Sequence, residues 1–180
     1  MRIITGKSKG RGVAMPKGIR PTQGNVRKAI FDILGDVSGV SFLELFAGSG
    51  AVGFEAASRG AAELTLVECN PECVRAIKKN IAFLKLESCV LYSRDARDAI
   101  RNLAQEAKNF DIIFLDPPYY RELAKKTLQM LDAYDILAPN GMIVVQHFRK
   151  DNLPDNLKNL ALTRQKHYGD TTLSFFKRKG

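Results

Sequence analysis

Apolar residues fall along the chain in short blocks that switch between two periods. Continuous apolar runs at 41–46, 63–68, 89–93, 112–115 and 141–146 predict five strands. Strands of a parallel sheet covered on both faces lose the in-and-out alternation and read this way. Between the runs, apolar residues recur at helical spacing and predict helices near 48–59, 71–84, 98–107 and 122–134. Pro71 suits a first helical turn and Gly60 a helix stop. Ahead of the first run, Val26, Ile30, Ile33 and Leu34 predict another helix, ended by Gly35. Residues 2–5 and 13–15 fit a short hairpin, and Arg20-Pro21-Thr22 a turn.

Strict alternation of strand and helix predicts an α/β, doubly wound parallel sheet. The last segment departs from it. Residues 162–168 and 171–176 flank Gly169-Asp170 and read as a β-hairpin, since a connection of two residues enforces antiparallel pairing. A parallel core of five strands closed by an antiparallel hairpin is the plan of the seven-stranded class I, Rossmann-like methyltransferase sheet. The expected organisation is a basic N-terminal extension over 1–28 and one compact domain over 29–180.

Charge refines this picture. The net charge is +9, from 28 Lys and Arg against 19 Asp and Glu. Eight of the bases, and none of the acids, lie in residues 1–28, which leaves 20 against 19 elsewhere. Arg2, Lys7, Lys9, Arg11, Lys17, Arg20 and Arg27, interleaved with glycines, therefore read as a flexible arm for nucleic-acid phosphates. The other reading is a solvated basic tail. No apolar stretch approaches the roughly 20 residues of a membrane span, and the first residues lack a signal-peptide core. A cytoplasmic protein without a membrane partner is expected. Cys69, Cys73 and Cys89 form no CxxC pair, and His147 and His167 add no ligand spacing, so no metal is expected.

The densest chemistry lies at Asp116-Pro117-Pro118-Tyr119, which directly follows the fourth apolar run. The carboxyl end of a strand is where open α/β sheets bind ligands. A carboxylate and a backbone carbonyl can accept both hydrogens of an NH₂ group, and an aromatic ring can stack on the plane that carries it. Pro117 and Pro118 fix φ and stiffen the turn. An ordinary strand-ending turn is the alternative. Tyr120 and Arg121 either extend such a pocket or begin the next helix.

Gly48-Ser49-Gly50-Ala51-Val52-Gly53 satisfies G-x-G-x-x-G between a strand and a helix, and Glu68 ends the next strand. This is formally the dinucleotide fingerprint. Three features favour S-adenosylmethionine, with S-adenosylhomocysteine as product. The chain has no residues left for the catalytic portion of an NAD enzyme. Glu44, ahead of the Phe46-Ala47-Gly48-Ser49-Gly50 turn, suits a positively charged ligand end and would repel a pyrophosphate. Asp95-Ala96 follow the third strand, where Asp95 suits an adenine amino group. For Glu44 the alternative is an outward strand position, and for Asp95 a helix N-cap.

Met1-Arg-Ile-Ile-Thr-Gly6, Arg20-Pro-Thr22, Val26-Arg-Lys-Ala-Ile-Phe31, Leu43-Glu-Leu-Phe-Ala-Gly-Ser-Gly50, Glu55-Ala-Ala-Ser-Arg-Gly-Ala61 and 110–119 occur in that order. Together they resemble the bacterial 16S ribosomal RNA guanine-N2 methyltransferase family over nearly the whole chain. Departures are Glu44, where Asp is common, and Lys28, where an acid is common. The resemblance implies methyl transfer to the exocyclic N2 of one guanine in 16S rRNA, on the 30S subunit or its assembly intermediate, by a monomer. It is also what selects guanine. The residues alone leave open an adenine-N6 methyltransferase, a non-catalytic RNA-binding assembly factor and a small NAD-dependent oxidoreductase.

Overall fold

The computed structural model describes residues 1–19, 22–118 and 122–180. Its secondary structure follows the predicted alternation. Strands β1 (Ser41–Leu45), β2 (Glu63–Val67), β3 (Cys89–Tyr92), β4 (Phe110–Leu115), β5 (Leu137–Phe148), β6 (Leu160–Tyr168) and β7 (Thr171–Arg178) lie in one sheet of order β3-β2-β1-β4-β5-β7-β6. The helices are α1 (Gly24–Leu34), α2 (Ala51–Ser58), α3 (Pro71–Leu84), α4 (Ala96–Gln105) and α5 (Leu123–Tyr134). The chain divides into two compact units, Met1–Arg94 and Asp95–Gly180.

In the first unit β1, β2 and β3 are parallel, with Leu45 opposite Val67 and Val67 opposite Tyr92. Phe42, Leu43, Leu45, Leu64 and Leu66 are buried, as continuous apolar strands require. Helix α3 starts as its sequence dictates. The Asn70 side chain accepts from the N–H groups of Glu72 and Cys73, and Pro71 occupies the first turn.

The N-terminal segment is docked, which corrects the expectation of a flexible arm. Arg2 and Gly12 form an antiparallel bridge, the remnant of the predicted hairpin, and Ile3 and Val13 are buried. The cause is Glu55 on α2, whose carboxylate is fully buried and needs partners. It accepts from Ile4 N at 2.8 Å, Thr5 N at 3.0 Å and Arg59 Nε at 3.0 Å. Lys7 N donates to Ser58 O at 2.8 Å, and Asn80 of α3 pairs with both backbone groups of Ala14. Gly6 passes so close that a Cβ there would lie 1.8 Å from Ser58 O, so only glycine permits this contact.

In the second unit β4 and β5 are parallel, with Leu115 opposite Val145, while β5–β7 and β6–β7 are antiparallel. The terminal hairpin is thus present as predicted. Strand β5 begins four residues earlier than its apolar run, and the β4–β5 register shifts between Phe110 and Ile112. Asp132 of α5 ties the chain ahead of β6, accepting the N–H groups of Lys158, Asn159 and Leu160. Among the described residues no helix is long and apolar enough to cross a membrane.

Candidate active site

Glu44 lies on β1, Glu68 and Asp116 directly follow β2 and β4, and Asp95 comes three residues after β3, each near the carboxyl end of its strand. In the first unit the loop after β1 turns sharply. Phe46 (φ 59°), Gly48 (φ 54°) and Gly50 (φ 73°) all lie in the left-handed region. For Phe46 this conformation is strained, and such strain concentrates at functional loops. Ala47 N donates to Val67 O at 2.9 Å, pinning the turn to β2. Ala47 and Ser49 are buried, and Gly50 opens α2.

Glu68 organises the next turn. Its Oε2 accepts from Gly48 N at 2.7 Å, and its Oε1 from Cys69 N at 2.8 Å and Asn70 N at 2.7 Å. A carboxylate offers about four acceptor positions. Three are filled by main chain, leaving capacity for one further donor such as a ribose hydroxyl. Glu68 and the glycine loop are therefore brought together as expected.

Glu44 is buried, and its Oε2 accepts from Gly53 N in the first turn of α2 at 2.8 Å. The outward-facing alternative is excluded. Gly53 is the third glycine of the fingerprint, and a Cβ there would come within 2.7 Å of Glu44 Oε2 and Leu66 Cδ2. Its absence lets α2 pack against β1 and β2. The loop 46–50 contains no Lys, Arg or His, and Glu44 and Glu68 accept the hydrogen bonds they make there. Two carboxylates beside the loop fit a positively charged nucleoside and disfavour a pyrophosphate.

In the second unit Asp95 caps α4. Its Oδ1 accepts from Arg97 N and Arg97 Nε, each at 2.9 Å. The Arg97 side-chain hydrogen bond, the largest influence, holds the carboxyl below its usual range, against a smaller opposing effect of burial. The helix therefore begins at Ala96, two residues ahead of the sequence expectation, and Ala96 is buried. The N-cap alternative is the one the structure realises, and the half-exposed carboxylate keeps further acceptor capacity.

At the end of β4, Asp116 Oδ2 accepts from Gln146 Nε2 at 2.9 Å. Pro117 is buried and Pro118 exposed. Gln146 was missed by the sequence reading. Its signal was present, a lone polar residue closing the apolar run 141–146. Tyr119, Tyr120 and Arg121 lie outside the described residues, as do Arg20 and Pro21.

Among the basic residues, Arg2, Lys7, Lys9 and Lys17 are exposed. Arg11 stacks 4.4 Å over the Phe83 ring and donates to Phe83 O at 2.8 Å. Arg27 is corrected outright. It is 3% exposed, donates to Arg2 O at 2.7 Å and sits 3.7 Å from the Glu55 carboxylate. Its charge serves the interior of the fold and is out of reach of a phosphate.

The sequence profile of a family described as Conserved hypothetical protein 95 matches residues 1–177. The Bacillus subtilis (strain 168) protein YlbH is 36% identical over 184 residues, covering 100% of each chain. The Escherichia coli (strain K12) protein called Ribosomal RNA small subunit methyltransferase D is 35% identical over 182 residues, covering 99% of this chain and 90% of its own. Among solved structures, the Escherichia coli protein yhhF matches with a TM-score of 0.88 and 34% identity, over 99% of this chain and 98% of that one.

Proposed function

Because the chain belongs to the conserved hypothetical protein 95 family and matches a small-subunit ribosomal RNA methyltransferase along its length, we infer an S-adenosylmethionine-dependent rRNA methyltransferase, and propose that it methylates the exocyclic N2 of a guanine in 16S rRNA. The observation that carries the amine chemistry is the Asp116 carboxylate, oriented by Gln146 at the carboxyl end of β4.

Bound S-adenosylmethionine supplies an electrophilic methyl group on a sulfonium. In this reading Glu68 accepts a ribose hydroxyl, Asp95 the adenine amino group, and Glu44 adds negative charge beside the loop 46–50. The guanine amine is a poor nucleophile, because its lone pair is delocalised into the ring. Asp116 and the Pro117 carbonyl would accept its two hydrogens, favour a pyramidal nitrogen and aim the lone pair. Tyr119 would stack on the base, which must leave its helix to be reached. As the methyl carbon passes from sulfur to nitrogen, leaving S-adenosylhomocysteine as the neutral thioether, the nitrogen would gain positive charge and its proton would pass to Asp116 or to solvent. With so good a leaving group, positioning supplies much of the rate.

The exposed Arg2, Lys7, Lys9 and Lys17 support phosphate contacts with RNA. We propose a monomer acting in the cytoplasm on the 30S subunit or its assembly intermediate. The test uses labelled S-adenosylmethionine and small subunits from a strain lacking the gene, with the product mapped by nucleoside mass spectrometry. N2-methylguanine is the expected product. N6-methyladenine would replace guanine as the target, and RNA binding without transfer would leave an assembly factor. Asp116→Ala should slow transfer roughly a thousandfold with cofactor binding retained. A wild-type rate in that variant would overturn the role given to Asp116.

A further inference from the structure

We propose that Gln146 is a positioning residue for methyl transfer, fixing the plane of the Asp116 carboxylate so that it meets the incoming amine. This rests on the reading that Asp116 receives that amine. The sheet register creates the contact. Leu115 of β4 pairs with Val145 of β5, so Asp116, the first residue past β4, comes beside Gln146, which stays within β5 opposite Leu173 of β7. Gln146 is 6% exposed, and its Nε2 lies 2.9 Å from Asp116 Oδ2.

The orientation of the amide is dictated by chemistry. An ionised carboxylate only accepts, so the nitrogen must face Asp116 and the oxygen must turn away. That leaves Oε1 buried and, among the described residues, without a hydrogen-bond partner. An unpaired buried acceptor destabilises a fold. Methionine or leucine would fill a similar volume with no such defect. A residue that stability disfavours, placed beside the proposed catalytic carboxylate, points to a role for its N–H.

That role follows from the task of Asp116. Its carboxylate must hold one rotation while the amine reorganises, and a donor fixed to Oδ2 removes the freedom to turn. The donor is neutral. A lysine or arginine would orient the carboxylate too, but it would neutralise the charge that draws the amine hydrogens and would repel a sulfonium. A glutamine amide orients and leaves the charge in place.

Two variants of the full chain test this with saturating cofactor and RNA. Gln146→Met should melt close to wild type, because removal of the orphan oxygen offsets the lost hydrogen bond to Asp116. Its kcat should fall at least tenfold, with KM for S-adenosylmethionine within twofold. A kcat within twofold of wild type would overturn the proposal. Gln146→Glu reads the same contact through pH. The introduced carboxyl can donate to Asp116 only while the pair holds one proton, so activity should acquire a descending limb as pH rises. A profile that superimposes on wild type would overturn the proposal even if Gln146→Met failed to fold. Failure of the functional reading looks different. There, wild type itself leaves guanine N2 unmodified, or Asp116→Ala keeps the wild-type rate.

Discussion

Glu68 and Asp116 both follow a parallel strand at its carboxyl end, yet they are held by different means. Glu68 is gripped by three main-chain N–H groups, from Gly48, Cys69 and Asn70. The donor described for Asp116 is a side chain, Gln146. Main-chain donors come with the fold, and of side-chain changes at those positions only proline would remove them. A side-chain donor can be lost by one substitution. The turn after β2 is therefore built for permanence, and in the proposed function its part is the generic one of holding a nucleoside. The contact after β4 is open to change by one substitution, and the proposed function puts selectivity for the target amine there.

Glu68→Ala should have the largest effect on stability. It strips a charged acceptor from three N–H groups at once, and even with water entering the space left, the loss should be about 3 kcal/mol. For a chain of this length that corresponds to a fall in Tm of roughly 6–12 °C. Urea unfolding reads it directly, and calorimetry should show cofactor affinity gone. A loss under about 1 kcal/mol would mean that the main chain at 48, 69 and 70 finds other partners, and the contrast with Asp116 would weaken.

Gly53→Ala should come next. The added Cβ would meet Glu44 Oε2, Leu66 Cδ2 and Leu64 Cδ1 at 2.7–2.8 Å. Two of these are ends of packed side chains in a full core, so overpacking should cost about 2 kcal/mol. It should also weaken cofactor binding, because Glu44 and the start of α2 must shift. Unchanged affinity in a destabilised variant would make the close approach a packing device without bearing on the nucleoside.

The same distinction between main chain and side chain governs what the sequence could reveal. The strand runs at 41–46 and 63–68 were legible because burial on both faces puts apolar residues on both sides of the strand, as at Phe42-Leu43 and Leu66-Val67. So were the glycine loop and Glu68, because the spacing is imposed by backbone geometry. The beginning of β5 was hidden, since Pro139-Asn140-Gly141 reads as a turn while the strand continues through it. Arg27 was misread because it stands among exposed bases, and Glu55, which neutralises it, comes 28 positions later. Docking of the N-terminal segment was hidden for the same reason. Its anchors, Glu55, Ser58 and Asn80, are polar residues on distant helices. Gln146 escaped notice because its meaning depends on register across two strands.

Asp95 is the intermediate case, held by one main-chain and one side-chain donor of the same residue, and it should give the smallest effect. Asp95→Asn keeps an N-cap acceptor for Arg97 N and loses the charge paired with the Arg97 guanidinium. The pair is exposed, so solvent screens it, and the cost at neutral pH should be a few tenths of a kcal/mol. The folded-state carboxyl titrates below its ordinary value of 3.8. Its stabilisation is therefore present above 3.8 and is lost as pH falls through the lower folded value. Thermal melts from pH 7 down to 3 should show wild type slightly ahead of Asp95→Asn, with the gap closing only at the acid end. A gap that widens on acidification would show that the pairing with Arg97 does not hold in solution. Cofactor affinity supplies the second reading. If Asp95 accepts the adenine amino group, binding at pH 7 should weaken severalfold while the melt barely moves, which would place this cap with Asp116 among the adjustable contacts.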